Sequence, residues 1–310
     1  MKRVIAASLL MECLIMSGCS RPAPRGLFDE LSRQQKEERV TIGWIDGQQL
    51  EALHFGSTEA EMHDYLLATP SLFAATLDGD SGTIFGTLSD PKQNALIAVH
   101  DGTIVWRAAS LAVQQNPVVA PMGKRLAVYG RDEKENVDGL YVVEDQGQKI
   151  TLVSRHGQGA SWSPDGMKLL YGESDRIMTY DLQTKKSVQI AQGALATWSP
   201  DGKWITYRTR DEKFVLADAT GKVQRTLLDG KDILGSLSWS PGSQFLMYVA
   251  RAGAWGFGPC ARYLADGRDV MVYRLRDAQK GRVFQVCDGY PYWQLGWIRI
   301  PSNMPLTLTR

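Results

Sequence analysis

The stretch Trp162-Ser163-Pro164-Asp165-Gly166 returns as Trp198-Ser199-Pro200-Asp201-Gly202 and, worn down, as Trp239-Ser240-Pro241-Gly242-Ser243, at spacings of 36 and 41 residues. Self-similarity at that period restricts the chain to a repeat architecture, in which each unit buries its apolar surface only against its neighbours. Behind the copies come Lys168-Leu169-Leu170-Tyr171, Lys203-Trp204-Ile205-Thr206-Tyr207 and Gln244-Phe245-Leu246-Met247-Tyr248, short runs that suit a pleated surface. Inside the motif, proline fixes its own φ and Asp-Gly supplies the turn, which links one strand tightly to the next. Trp162, Trp198, Trp239 and Trp297 are expected to pack between adjacent units, where each buries a large apolar area. A sugar-stacking platform is the rival reading, but regular recurrence is what a core position predicts. Asp165 and Asp201 are turn formers first and metal ligands second.

The turns parse the chain into four-stranded units, clearest at 194–198, 204–208, 214–218 and 224–228. Weaker copies precede them. Ser89-Asp90-Pro91 stands before strands at 95–99 and 103–107, and Ala120-Pro121-Met122-Gly123 before 126–129, 140–143 and 149–153. Turns at Pro91, Pro121, Pro164, Pro200 and Pro241 thus open five blades. At the start, 40–45 and 50–55 form a hairpin across Asp46-Gly47, a capping box from Thr58 to Glu61 predicts a helix over 59–68, and 72–77 is a third strand. At the end, Gln294-Leu295-Gly296-Trp297-Ile298 looks like one more inner strand. Joining it to the N-terminal strands spares each an unpaired edge. The expected fold class is therefore all-β, a six-bladed β-propeller over 40–300 with short helical segments before it and a tail at 301–310.

The first nineteen residues belong to targeting. Lys2 and Arg3 precede an apolar run, 4–18, too short to span a membrane. Met16-Ser17-Gly18-Cys19 resembles a bacterial lipoprotein cleavage box, with Cys19 as the lipidated residue and Ser20 favouring the outer membrane. Leucine is more usual at Met16, and Glu12 is a costly charge in such a segment. A plain secretory signal and a short uncleaved anchor are the alternatives. Residues 20–39 read as a tether with Pro22 and Pro24 followed by a short helix carrying Phe28, Leu31 and Gln35 on one side.

Composition narrows the partners. With 35 basic and 34 acidic residues, no net charge draws the chain to nucleic acid, and membrane contact is expected through the lipid alone. If Cys13 leaves with the signal and Cys19 carries lipid, Cys260 and Cys287 remain as a pair in an oxidising compartment. A bridge between them would contribute about 3 to 4 kcal/mol in the chain-entropy description. Two buried thiols are the other possibility.

The repeated Trp-Ser-Pro-Asp-Gly with its following strand and hairpin resembles the propeller repeat of the TolB-like family, over about 83–288. That resemblance implies a periplasmic scaffold of the bacterial envelope that works by binding another protein or envelope component. Two features depart from the family pattern: too few residues precede the first blade for its usual α/β domain, and a lipid anchor is not its usual arrangement. The same repeat precedes prolyl-oligopeptidase-like hydrolases, yet no Gly-x-Ser-x-Gly occurs here.

No catalytic set stands out. His54, His63, His100 and His156 lack metal-ligand spacing, and Asp78-Gly79-Asp80-Ser81-Gly82 lacks the later acidic ligands of a calcium loop. No cofactor or metal is expected, although any propeller channel can hold an ion. The irregular loops are more informative. In this strand order the insertion 251–268 and the loop 288–292 leave from the face opposite the Pro-Asp-Gly turns. Trp255, Phe257, Tyr263, Tyr290 and Tyr292 gather there with Cys260 and Cys287, and Arg131, Arg155 and His156 belong to the same end. Aromatics on loops of a rigid scaffold suit recognition, or else cap the channel. The rivals to a binding scaffold are a lyase or hydrolase, and a sugar- or peptide-binding sensor, each with its site at the channel mouth.

Overall fold

The computed structural model describes residues 23–46, 48–56, 59–67, 69–88, 95–121, 123–251, 267–286 and 295–300. Among them stand one α-helix, α1 (Arg25–Glu38), and 24 strands in antiparallel sheets. The N-terminal strands are β1 (Val40–Asp46), β2 (Gln49–Phe55) and β3 (Ala60–Leu66). Next come β4 (Leu72–Asp78), β5 (Thr83–Leu88), β6 (Ala95–His100), β7 (Thr103–Val113), β8 (Val118–Val119), β9 (Leu126–Asp132), β10 (Val137–Glu144) and β11 (Lys149–Ser154), which join in one eight-stranded sheet. Three regular four-stranded sheets follow. They are β12 (Gly157–Trp162) to β15 (Lys186–Gln192) through β13 (Lys168–Glu173) and β14 (Arg176–Asp181); β16 (Ala194–Trp198), β17 (Trp204–Arg208), β18 (Lys213–Asp218) and β19 (Val223–Asp229); and β20 (Ile233–Trp239), β21 (Phe245–Arg251), β22 (Arg268–Arg274) and β23 (Lys280–Val286). The last strand, β24 (Gly296–Arg299), pairs with β1 from Val40↔Arg299 to Gly43↔Gly296, giving a sheet ordered β24-β1-β2-β3.

The motif makes its turn through serine as much as through proline and glycine. Ser199 N donates to Trp204 O at 2.8 Å and Gly202 N to Ser199 O at 2.9 Å, while Ser199 Oγ accepts the Trp204 N–H at 2.9 Å and donates to Asp201 Oδ1 at 2.6 Å. Ser163 repeats the pattern with Lys168 and Asp165, and Ser240 accepts the Phe245 N–H at 3.0 Å. Gly166 and Gly202 hold φ of 63° and 73°, the left-handed region glycine enters most readily. Ser243 takes that position in the third copy at φ 57° and receives the Asp201 N–H on its Oγ at 3.0 Å.

One core, with Phe85, Leu96, Leu126 and Val143, lies within the eight-stranded sheet, and the repeat tryptophans build the others between neighbouring sheets. Trp162 packs on Ala120, Ala127, Leu140 and Val142 of the preceding sheet; Trp198 on Leu170 and Ile177; Trp239 on Phe214 and Leu216; Trp297 on Phe245 and Met247. The indole N–H of Trp162 donates to Val118 O at 2.9 Å and that of Trp297 to Ser238 O at 3.1 Å, so these two tryptophans also stitch neighbouring inner strands.

Three expectations change. Within 59–68, Ala60–Leu66 forms the strand β3 instead of a helix, paired with β2 from Gln49↔Leu66 to Phe55↔Ala60. A short helix is marginal in water, and the ladder covers an edge of β2 that would otherwise stay open. Second, Leu72–Asp78 belongs to the next sheet, pairing with β5, so that the Asp78 turn takes the place assigned to Pro91. The segment 89–94 connects β5 to β6, which pair antiparallel. Third, the strand expected at 103–107 runs on to Val113 and pairs with β9 at Leu111↔Asp132, Ala112↔Arg131 and Val113↔Gly130. Gly130 permits this approach, because a Cβ there would lie 2.3 Å from Ala112 O. As a result β8 keeps only the pairs Val118↔Ala127 and Val119↔Leu126.

Helix α1 covers the seam between the first and last sheets. Leu27, Phe28 and Leu31 are essentially unexposed among Leu53, Phe55, Val270 and Val283. Gln35 donates to Leu53 O at 2.6 Å and accepts the Phe55 N–H at 2.9 Å, supplying bonds that β1 does not reach to make. Glu30, also buried, pairs with Arg274 of β22 at 2.7 Å.

Candidate interaction face and channel

Strands β9, β13 and β17 end, and β10, β14 and β18 begin, on the face away from the serine turns. Arg131, one residue before the end of β9, forks there onto Asp138 near the start of β10, with Nη2 to Oδ2 at 2.6 Å and Nε to Oδ1 at 3.1 Å. Gln114 adds a bond to Asp138 Oδ1 at 3.1 Å. The fork holds the Asp138 carboxyl below its ordinary range and pushes the Arg131 guanidinium up. The arc continues through Glu173 with Arg176 at 2.7 Å, Asp175 with Arg210, and Arg208 with Glu212. Arg155 and His156 stand exposed between these pairs. The His156 N–H is held by Ser154 Oγ at 3.1 Å, and that hydroxyl donates to Glu173 Oε2 at 2.7 Å.

Exposed pairs of this kind contribute little to stability, because water screens them. Their effect is to fix the direction of charges on a rigid end of the molecule. The structure therefore brings Arg131, Arg155 and His156 to one face. Trp255, Phe257, Tyr263, Tyr290 and Tyr292, the Cys260 and Cys287 pair, and Cys19 lie outside the described residues.

A cavity of about 870 Å³ runs along the inner strands, with β4, β8, β12, β16, β20 and β24 all contributing to its wall. Its lining is apolar in the main, through residues such as Leu234, Leu237 and Ile298, with a hydroxyl at the position before three of the four repeat tryptophans: Ser161, Thr197 and Ser238. Two of these hydroxyls bridge strands. Ser161 Oγ accepts the Trp198 N–H at 2.9 Å, and Thr197 Oγ1 donates to Leu237 O at 3.1 Å. Their sequence signal is a small hydroxyl residue before the tryptophan in all three copies of the motif, which the turn pattern alone does not single out.

Titratable groups near the motif face are committed to structure. Asp78 Oδ2 accepts the Ser81 hydroxyl at 2.6 Å, and Asp80 pairs with Arg299 at 2.6 Å. Asp165 is held low by the Ser163 hydroxyl and the Met167 N–H. Among the described residues no group of three or more His, Cys, Asp or Glu side chains is placed to hold a metal. His54 and His63, on paired strands, bring their rings to 5.1 Å. Burial and then His63 push the His54 imidazole below its ordinary value, with Lys36 adding to the effect and Glu61 opposing it.

No family model and no curated protein sequence matches the chain. Solved structures do. TolB from Acinetobacter baumannii superposes with a TM-score of 0.57 at 16% identity, over 83% of this chain and 66% of that one. A protein assigned as TolB from Agrobacterium tumefaciens gives 0.55 at 14%, over 80% of this chain and 89% of the other. The chain thus spans just under two thirds of the length of the Acinetobacter protein. At such identities the likeness is one of fold: this is an all-β chain with a TolB-like propeller architecture.

Proposed function

We propose that the chain is a non-enzymatic binding scaffold of the bacterial envelope, a six-bladed propeller whose sixth blade is β24 with β1 to β3. In this reading β4 to β7 and β8 to β11 are two blades fused through β7. A lipid on Cys19 holds it on the periplasmic side of the outer membrane, and it captures another envelope protein through the face opposite the serine turns. The observation that carries the reading is the arc from Arg131 to Glu212, where oriented ion pairs frame the exposed Arg155 and His156 on a rigid sheet end. The TolB-like fold supports the choice of compartment and of a protein as ligand. Trp255, Phe257, Tyr263, Tyr290 and Tyr292 would supply the aromatic anchors of the same face.

The test is a native pull-down from envelope membranes with the wild-type chain, Arg155→Ala, and Trp255→Ala combined with Tyr292→Ala. A partner retained by wild type and lost by both variants, each with an unchanged unfolding midpoint, is the expected outcome. Undiminished capture by the variants refutes this interface. The inner cavity favours a second reading, a sensor for a small sugar or peptide. Its volume of about 870 Å³ lies in the range of small-molecule sites. Saturable binding of such a ligand, abolished by Leu237→Trp, would select it.

A further inference from the structure

We propose that the cleft between the β16–β19 and β20–β23 sheets, on the serine-turn face, binds a carboxylate carried on an apolar body, specifically the free C-terminal end of a polypeptide. The cleft has a volume of about 550 Å³, and Glu30 of α1 contributes to its lining. This site is separate from the proposed partner face, which lies at the other end of the strands.

Three arginines converge there, and their commitments differ. Arg274 is buried and saturated, with Nη1 on Glu30 Oε2 at 2.7 Å and its Nε and Nη2 on Asp277 at 3.0 and 2.8 Å. It acts as wall. Arg225 is exposed, and its Nη2 donates to the carbonyl of Leu275 at 2.9 Å, which anchors its guanidinium beside the next residue, Arg276. No carboxylate pairs with Arg225 among the described residues. Arg276 remains 65% exposed and shares Glu30 Oε2, at 3.1 Å, with Arg274. Three guanidinium charges against Glu30 and Asp277 leave one positive charge, placed by Arg225 and Arg276 at the rim. A single surplus charge matches a carboxylate better than a phosphate dianion, and a guanidinium presents the fork that a carboxylate fills.

The floor sets the rest of the ligand. Trp204, Leu216 and Leu275 line the cleft, so that a chain end with a branched or aromatic side chain would bury it there while its carboxylate meets the two rim arginines. A free acid and its amide differ only in the group the arginines read, which makes the pair a direct test.

The experiment is calorimetric titration of the full chain with N-acetyl-Gly-Gly-Leu, its C-terminal amide, and inorganic phosphate. Saturable binding of the acid, at least about tenfold weaker for the amide, is expected, because a charge-assisted bidentate contact is lost. Arg225→Gln and Arg276→Gln should each weaken the acid by about tenfold at an unchanged unfolding midpoint, with Arg131→Gln as an unaffected control. If one rim variant unfolds, the other decides. No saturable binding of the acid, equal affinity for the amide, or phosphate binding as tightly as the acid would overturn the proposal. None of these outcomes depends on the partner face, whose own variants leave this cleft intact.

Discussion

Replacing Ser199 with alanine removes one oxygen atom from the centre of the second motif turn. Ser199 is fully buried, and its Oγ accepts the Trp204 N–H at 2.9 Å and donates to Asp201 at 2.6 Å. In Ser199→Ala the Trp204 N–H faces a methyl group that cannot accept, and an orphaned buried donor costs about 1 to 3 kcal/mol. Asp201 is 34% exposed and keeps the Lys203 N–H at 3.1 Å, so water replaces much of what it loses; that part is held to about 1 kcal/mol or less. The expected total is about 1 to 4 kcal/mol, read by urea unfolding at pH 7, with the exposed Ser236→Ala as a control within about 0.5 kcal/mol. Acid adds a second readout. Burial pushes the Asp201 carboxyl up, but the Ser199 hydroxyl and the Lys203 N–H outweigh it and hold the group below 3.8. A depressed carboxyl stabilises the fold above its unfolded pKa, and that share is lost as pH falls through the folded value. The gap between wild type and Ser199→Ala should therefore narrow below about pH 3.8, leaving the N–H share. A cost under about 0.5 kcal/mol at pH 7, or a gap that is the same in acid, would refute the assignment of serine as the hub of the turn.

Three further outcomes follow from other parts of the molecule. Glu30→Ala leaves Arg274 buried with Asp277 and the neutral Gln279 side chain as its partners, and since these survive the loss should be about 2 to 3 kcal/mol, below the full cost of an orphaned ion; a thermal shift near zero would contradict the buried pair. His54 is held below 6.5 in the fold, so the unfolded chain binds more protons near that pH and stability drops as pH falls through 6.5 toward the folded value. His54→Asn should flatten that slope in unfolding curves from pH 5 to 8, and an unchanged slope would place the titration elsewhere. Mass spectrometry of the unreduced protein should recover Cys260 linked to Cys287, and alkylation of both thiols without reductant would exclude the bridge.

The four-stranded unit was legible because its signals are local. Alternating apolar residues, a proline and a glycine at positive φ act on their own segment, and Trp198 to Leu228 could be divided into strands without knowing what lies beside them. The N-terminal region carried local signals too, but weaker ones. A capping box at Thr58 favours a helix by a small margin, and the open edge of β2 outweighs it. The same holds for β7, whose last three residues leave their own unit to pair with β9 because Gly130 lets the backbones meet. The candidate face was partly legible, since strand order alone sends Arg131, Arg155 and His156 to one end. The ion pairs that orient it join residues as distant as Asp175 and Arg210, and no spacing rule announces them.

By itself, then, the sequence determined the repeat, the turn chemistry and the placing of tryptophans at the junctions between units, since these depend on backbone conformation and on which face of a strand a residue occupies. The tertiary structure alone decided which strands share a sheet, that α1 seals the seam through Glu30 and Gln35, and that Arg225, Arg276 and Trp204 line one cleft. Those choices rest on burial and on hydrogen-bonding groups that only a distant segment can satisfy.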